Sequence, residues 1–483
     1  MIEKLEVEII QGGMGAGVSN FRLAREVSSM GGLGVVSGTA LDTIMVRRLQ
    51  NKDSKINDEI IFALENFPDQ KLAQEIIDKF SRNGRNSKTN KYHPAPYPRF
   101  KQDSKGVLSL RGSLRSPNLE ELLIVANFVE VFLAKQGHSN PIGINYLDKI
   151  KWPIIPSIYG AMLADVDVVL IGAGIPKEVP EVMRDLSEGR KSKMPIPVIG
   201  SERDYLLKFD PNILYEQQTL KIPFFLGIVS NHFGVRFLPQ ADGYIFENHI
   251  AGGHNAPARS KELNKKGEPI YTEVDEIDYN KLDSLLERNS KRRNNLIQPY
   301  WLAGGYASRL NKALEEEGAN GIQVGTPFAF CRESGIYPEL KRKVLEEIME
   351  GTTVFTDPDA SPTSFPLKVV QVKNTSSQKE VYEERKRLCD LGYLVELYEK
   401  NGRVDTRCPA DTIKKYEKAG GNVKDMINKV CLCNALTSTV GLGSPGEPPL
   451  VTSGSDFSVV IDLVKEHGFD YGAKDVMNYI EES

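Results

Sequence analysis

Three apolar segments, each ending in glycine or small polar residues and set in a fixed order, constrain this chain more than any other feature. Gly243-Tyr244-Ile245-Phe246 runs through Glu247-Asn248-His249-Ile250-Ala251 into Gly252-Gly253-His254. Pro299-Tyr300-Trp301-Leu302-Ala303-Gly304-Gly305 follows, then Gly321-Ile322-Gln323-Val324-Gly325-Thr326. Glycine at the C-terminal end of a strand lets backbone N–H groups approach a ligand with no Cβ in the way. Two such ends in succession, each leading into a helix, would cradle a phosphate with loop amides and helix N-termini. A barrel of alternating strands and helices gathers such ends on one face. His254, just before the cradle, then falls where chemistry would occur.

The first half repeats the alternation. A strand over Val7–Gln11 leads through a glycine loop to Ser19-Asn20, a good helix N-cap pair. A helix over Phe21–Met30 stops at Gly31-Gly32, and a strand over Leu33–Ser37 follows. Further on come a helix over Leu119–Lys135, a strand over Pro141–Asn145, a helix over Pro153–Ala164, a strand over Val166–Ile171 and a helix over 177–188. Strand–helix alternation argues for a parallel sheet. Two segments compete for strand five, Ile196–Gly200 and Phe224–Val229; spacing to the next strand favours the second. The pattern breaks in two places. Residues 51–118 hold a helix near 57–80 and then an irregular stretch, Ser81 to Lys88 and His93-Pro94-Ala95-Pro96-Tyr97-Pro98. Residues 259–297 are highly charged. From about residue 378 charged helical segments (Glu380–Leu391, Asp411–Ala419, 455–466) replace the alternation.

Size and charge narrow the class. A chain of 483 residues accommodates a barrel of about 250 residues plus insertions and an extension. A net charge of −4 gives no reason to expect nucleic acid or an anionic membrane. No apolar run approaches the roughly 20 residues that span a bilayer. The charged start Met1-Ile2-Glu3-Lys4-Leu5-Glu6 does not read as a signal peptide. Five cysteines do not make a disulfide framework. The expectation is a cytoplasmic enzyme acting on a small molecule.

Several segments together resemble the nitronate monooxygenase (2-nitropropane dioxygenase) family of FMN-binding barrels, a group that also includes flavin-dependent enoyl reductases. They are Ile9-Ile10-Gln11-Gly12-Gly13-Met14-Gly15, Gly32-Leu33-Gly34-Val35-Val36-Ser37, Pro141-Ile142-Gly143-Ile144-Asn145, Val168 to Pro176, and the three glycine-ended segments. The resemblance covers roughly residues 5 to 370. It implies an α/β fold, a (β/α)8 TIM barrel with insertions and a helical C-terminal extension. The barrel would span 1–375, with insertions near 51–118 and 259–297, and the extension 376–483. The implied activity is FMN-dependent oxidation of an alkyl nitronate with O₂ to a carbonyl compound and nitrite. The alternative is an NAD(P)H-dependent enoyl reductase acting on an acyl thioester in lipid or polyketide synthesis. Electron donor, acyl-carrier partner and homo-oligomer are left open.

The resemblance makes His254 the proposed base or, in the reductases, a positioning group; His249 is its competitor. Glu247 sits where many members carry a flavin-contacting glutamine, and it could equally cap the following loop. Gly304, Gly305, Gly325 and Thr326 would form the phosphate cup, or simply tight turns. Gly13, Met14 and Asn145 would flank the isoalloxazine, with Gly252 and Gln323 among the other cofactor contacts. Two departures stand out. Gly12-Gly13 replaces the family's Ala-Pro, and Asn255 replaces an arginine, with Arg259 further on. Arg259 could bind an anionic substrate or a cofactor phosphate. Cys389, Cys408, Cys431 and Cys433 match no common metal spacing, so reduced core thiols are expected and no metal.

Overall fold

The computed structural model describes residues 4–51, 54–81, 91–110, 117–213 and 219–483. At its centre are eight parallel strands: β1 (Ile9–Gln11), β2 (Gly34–Ser37), β3 (Ile142–Leu147), β4 (Val168–Gly172), β5 (Phe224–Val229), β6 (Gly243–Glu247), β7 (Tyr300–Ala303) and β8 (Gly321–Val324). They pair in the order β1-β8-β7-β6-β5-β4-β3-β2. The ring closes between β1 and β2. Gln11 N–H donates to the Leu33 carbonyl at 3.0 Å, and Leu33 N–H donates to the Ile9 carbonyl at 2.9 Å. The fold is therefore a (β/α)8 barrel, with Phe224–Val229 as strand five.

Inward side chains fill the barrel. Ile10, Leu33, Val35, Val168, Leu170, Leu226, Ile245 and Trp301 form one buried cluster, joined by Leu5 and Val7 from the N-terminal segment. Trp301 Nε1–H donates to the Val7 carbonyl at 2.8 Å, which satisfies the indole's one polar atom at the barrel floor. The outer helices pack closely on the strands. The helix Phe21–Ser29 lies so near β2 that a Cβ on Gly34 would sit 1.8 Å from the Ala24 carbonyl oxygen. That helix begins where Asn20 accepts N–H bonds from Arg22 and Leu23.

The structure corrects several expectations. The helix near 57–80 is two helices, Ser54–Glu65 and Gln70–Ile76, with a π turn at Ile77–Ser81. Pro68 separates them, and Asp69 caps the second through the Leu72 N–H. Of the irregular stretch Ser81–Lys88, all but Ser81 lies outside the described residues. The insertion also carries strands Phe100–Gln102 and Leu108–Leu110, which join Tyr205–Phe209 and Ser192–Ile196 in a four-stranded side sheet. The rejected candidate over Ile196–Gly200 is split: Ile196 ends that side sheet, and Val198–Ile199 pairs with Glu396–Lys400. The helix expected over Glu380–Leu391 stops at Glu384, and the charged run beyond it holds a hairpin, Glu396–Lys400 with Arg403–Arg407. Charge alone did not separate a solvated helix from a solvated hairpin.

The C-terminal segment returns to the barrel mouth. Val370 N–H donates to the Val451 carbonyl at 2.9 Å and Ser455 N–H to the Ile250 carbonyl at 3.0 Å. Tyr471 Oη donates to the Pro327 carbonyl at 2.8 Å. Among the described residues no helix is long and apolar enough to cross a membrane.

Candidate active site

All eight strands send their C-terminal ends to one cavity. Its wall includes Gly12–Gly15 after β1, Ser37 on β2, Asn145–Leu147 on β3, Gly172 on β4, Ile228 on β5, Glu247 on β6, Ala303 on β7, and Gln323 and Val324 on β8. Every residue expected at the site lies on this wall: Gly13, Met14, Asn145, Glu247, Gly252, His254, Gly304, Gly305, Gln323, Gly325 and Thr326.

The first loop explains its own glycines. Ser19 Oγ accepts the Met14 N–H at 2.9 Å and donates to the Gly12 carbonyl at 3.0 Å, which fixes the turn. A Cβ on Gly12 would meet the Gln323 side chain at 3.4 Å, and one on Gly13 would lie 2.4 Å from Asn145 Cβ. Asn145 therefore closes the Gly13 position to any side chain, whereas a Cβ on Gly12 would make only ordinary contact with Gln323. Asn145 Nδ2 donates to the Gly13 carbonyl at 2.9 Å. That leaves Asn145 Oδ1 buried without a partner, and Gln323 Oε1 is buried in the same condition. An orphaned buried acceptor costs about 1–3 kcal/mol. A ligand carrying N–H or O–H groups would satisfy both.

The glycine cup lies on the β7 and β8 ends. Gly304 and Gly305 have φ of +87° and +81°, a region costly for residues with a Cβ. The two strand ends differ. After β7 the left-handed pair runs into a turn at Ala307 and Ser308, whereas after β8 a single-turn helix, Thr326–Phe330, begins at the cup with Gly325 as its N-cap. Thr326 Oγ1 accepts the Gly454 N–H at 3.0 Å, which leaves its own proton to donate elsewhere. Thr452, Ser453, Gly454 and Asp456 thus form part of the wall. Sequence reasoning missed them; the small polar run after Leu450-Val451 was the available signal.

His254 lies on a two-residue strand, Gly253–His254, antiparallel to Leu367–Val370. Its Nε2 meets Ser361 Oγ at 2.7 Å. Burial pushes the imidazole pKa down to about 4, so the ring is neutral at pH 7. Glu247 moves the other way. Burial raises its carboxyl to about 7. Glu247 and Asp456 are the charged side chains on the wall, which carries no lysine or arginine among the described residues.

The competing candidates are placed elsewhere. His249 is off the cavity wall, stacks on Tyr271 at 4.5 Å between ring centroids and lies 3.4 Å from Glu276. Arg259 is also off the wall and sits over the Phe233 ring at 4.6 Å. Asn255 is buried and donates to the Ala251 carbonyl at 3.1 Å. Cys408 and Cys431 pack with Val395 and Ala410, with Cys389 and Tyr97 against them. Among the described residues no group of three His, Cys, Asp or Glu is arranged to hold a metal ion.

No protein-family model matches this chain, and no curated protein sequence matches it. Solved structures with a similar chain trace include FabK from Thermotoga maritima, at 15% identity and a TM-score of 0.45, covering 99% of this chain and 92% of that one. Nitroalkane oxidase from Streptomyces ansochromogenes has 13% identity and a TM-score of 0.40, with 99% and 95% covered. The enoyl reductase domain of MlnA, from the macrolactin biosynthesis cluster of Bacillus amyloliquefaciens, has 12% identity and a TM-score of 0.47, also with 99% and 95% covered. The chemistry of the site rests on its own residues.

Proposed function

We propose that this protein is an FMN-dependent oxidoreductase. The observation that carries the reading is the pair of orphaned acceptors, Asn145 Oδ1 and Gln323 Oε1, on the same wall as the Gly304-Gly305 turn. A flavin mononucleotide supplies what both features lack. Its ring and ribityl chain bring N–H and O–H donors, and its phosphate brings acceptors for cup amides and the Thr326 hydroxyl. Gly304, Gly305, Gly325 and Thr326 would hold the phosphate. Gly13, Met14, Asn145, Glu247, Gly252 and Gln323 would hold the rest. When bound, the flavin supplies the electron transfer; the chain binds, orients and moves protons.

Its leading substrate is an alkyl nitronate, oxidised with O₂ to a carbonyl compound and nitrite. A neutral nitroalkane must first lose a carbon-bound proton. His254, neutral with a pKa of about 4, is a weak base for that step. A preformed nitronate needs no base, so it suits the site better. A second reading, reduction of an acyl thioester's double bond with NAD(P)H, is favoured by the wall itself. It offers no lysine or arginine to an anionic substrate, and an uncharged thioester carbonyl requires none.

Anaerobic mixing of the purified flavoprotein separates the two. Bleaching by propan-2-nitronate, with none by NADH or NADPH, supports the oxidase. Bleaching by a nicotinamide, with reoxidation by crotonyl thioester, supports the reductase and removes the nitronate reading.

A further inference from the structure

His254 has two ring nitrogens with different surroundings. Nε2 is held by Ser361. Nδ1 has no protein partner among the described residues, and the residue lies on the cavity wall. Ser361 is fully buried on the turn between strands Val354–Asp357 and Leu367–Val370. The turn is held from several sides. Asp357 Oδ1 accepts the Asp359 and Ala360 N–H groups at 2.8 and 2.9 Å. Lys429 Nζ donates to the Ser361 carbonyl at 3.1 Å, and Val430 N–H donates to the Ala360 carbonyl at 2.8 Å. The hydroxyl that meets the imidazole is therefore fixed in place.

Its bonding is fully determined in number and free in direction. A serine oxygen has one proton and two lone pairs. One lone pair takes the Thr363 N–H at 3.1 Å. The other lone pair and the proton face His254 Nε2 at 2.7 Å and Thr363 Oγ1 at 2.8 Å. Ser361 must donate to one and accept from the other. Both directions satisfy every group, and changing from one to the other moves one proton along the chain. Thr363 is half-buried and adjoins the exposed Ser364, so the line ends near solvent.

We propose that Ser361 and Thr363 form a proton relay between His254 and solvent, acting as positioning residues for the imidazole. The proposal rests on the flavin reading above and on a substrate whose turnover releases or takes up a proton. In outward transfer a proton arrives at Nδ1 and Nε2–H passes its proton to Ser361 Oγ. The Ser361 proton passes to Thr363 Oγ1, and the Thr363 proton passes to water. The ring ends neutral and both hydroxyls are regenerated. Inward transfer is the reverse. Oxidation of a neutral nitroalkane and reduction of an enoyl thioester both require this traffic; oxidation of a preformed nitronate does not. Two neutral nitroalkanes plus O₂ give two carbonyls, two nitrites and two protons, one outward proton per substrate. An enoyl thioester plus NAD(P)H takes up one proton. Two preformed nitronates plus O₂ give two carbonyls and two nitrites with no net proton.

The test uses the full-length flavoprotein and the variants Ser361→Ala, Thr363→Val and Thr363→Ser. FMN content and affinity are read first by absorbance and fluorescence titration; a wild-type protein that binds no FMN removes the flavin reading itself. Turnover of 2-nitropropane, propan-2-nitronate, and crotonyl thioester with NADPH is then measured in mixtures of H₂O and D₂O. The relay predicts wild-type FMN affinity in all three variants. It predicts an about 10- to 100-fold loss on whichever proton-coupled substrate the wild type uses, in Ser361→Ala and Thr363→Val, smaller than the effect of removing a general acid or base itself. It predicts near-normal rates in Thr363→Ser, and a D₂O dependence that is curved in wild type and straight in Thr363→Val. If the wild type uses the nitro substrates, all variants should keep wild-type rates on the nitronate. Unchanged rate and isotope effect in Thr363→Val, or an equal loss in Thr363→Ser, overturns the relay. The Thr363 pair decides the matter even if Ser361→Ala folds poorly.

Discussion

Asn145 Nδ2 donates to the Gly13 carbonyl at 2.9 Å, and this one bond aims Asn145 Oδ1 at nothing in the protein. The orientation of the amide is set by its neighbour, because a carbonyl oxygen can only accept. The site is thus built with a fixed acceptor waiting for a donor.

Asn145→Leu should therefore weaken FMN binding. It removes one ligand hydrogen bond, worth about 0.5–1.5 kcal/mol, while the lost bond to the Gly13 carbonyl is common to free and bound protein and lowers stability instead. The expected result is a roughly 2- to 13-fold rise in Kd, read by quenching of flavin fluorescence. Unchanged affinity would place the flavin ring away from β3.

At the cup, backbone handedness rather than crowding governs substitution of Gly305. A Cβ there would meet only Ile250 side-chain atoms, at 3.5 and 3.6 Å, but φ is +81°. A Cβ on Gly304 would in addition lie 2.8 Å from the Asn248 carbonyl oxygen. Gly305→Val should lower the melting temperature, with a strain of about 1–3 kcal/mol, and lower FMN occupancy. Gly304→Val should be worse on both counts. The reverse ranking, measured by thermal unfolding and flavin content, would contradict this geometry.

Glu247 gives the FMN-free protein a recognisable pH dependence. Burial raises its carboxyl from the usual 4.5 to about 7. Between those values the unfolded chain has released a proton that the folded chain keeps, so this group's contribution makes stability fall as pH rises through that window. His254, lowered from 6.5 to about 4, contributes the opposite slope between its two values. The Glu247→Gln difference isolates the first. The variant should match wild type near pH 4 and be more stable at pH 8 by up to about 3 kcal/mol, the difference between the usual and raised pKa converted to free energy. Urea unfolding at the two pH values checks it; an equal effect at both would mean the carboxyl is not buried in this way.

How much of this was legible in the sequence depended on whether a signal was local. Gly252-Gly253-His254 and Gly304-Gly305 were readable because glycine at a strand end announces its backbone. The eight strands were readable because each is an apolar run between turns. Ser361 and Thr363 were not: they reach His254 from more than a hundred residues away in the chain, through the pairing of Gly253–His254 with Leu367–Lys368. Gly454 was missed for the same reason, since its role depends on a return to Thr326. The helix expected directly after β7 does not begin there, because the left-handed Gly304 and Gly305 lead into a turn first.

Replacing His254 tests the proton chemistry without disturbing the cup. His254→Ala should keep FMN and slow turnover of a proton-coupled substrate by about 10²–10⁴-fold. A neutral nitroalkane should lose far more than its nitronate if the imidazole moves the proton. Equal losses would assign it to positioning alone. Full turnover on the best substrate would remove it from the mechanism.

The central claim is that the cavity at the barrel mouth holds FMN, and the absorbance spectrum of the purified full-length protein tests it most directly. The account predicts flavin bands in the visible, or their appearance on adding FMN, and release on denaturation of a chromophore identified as FMN rather than FAD. A colourless protein that neither carries flavin nor takes up FMN would contradict it.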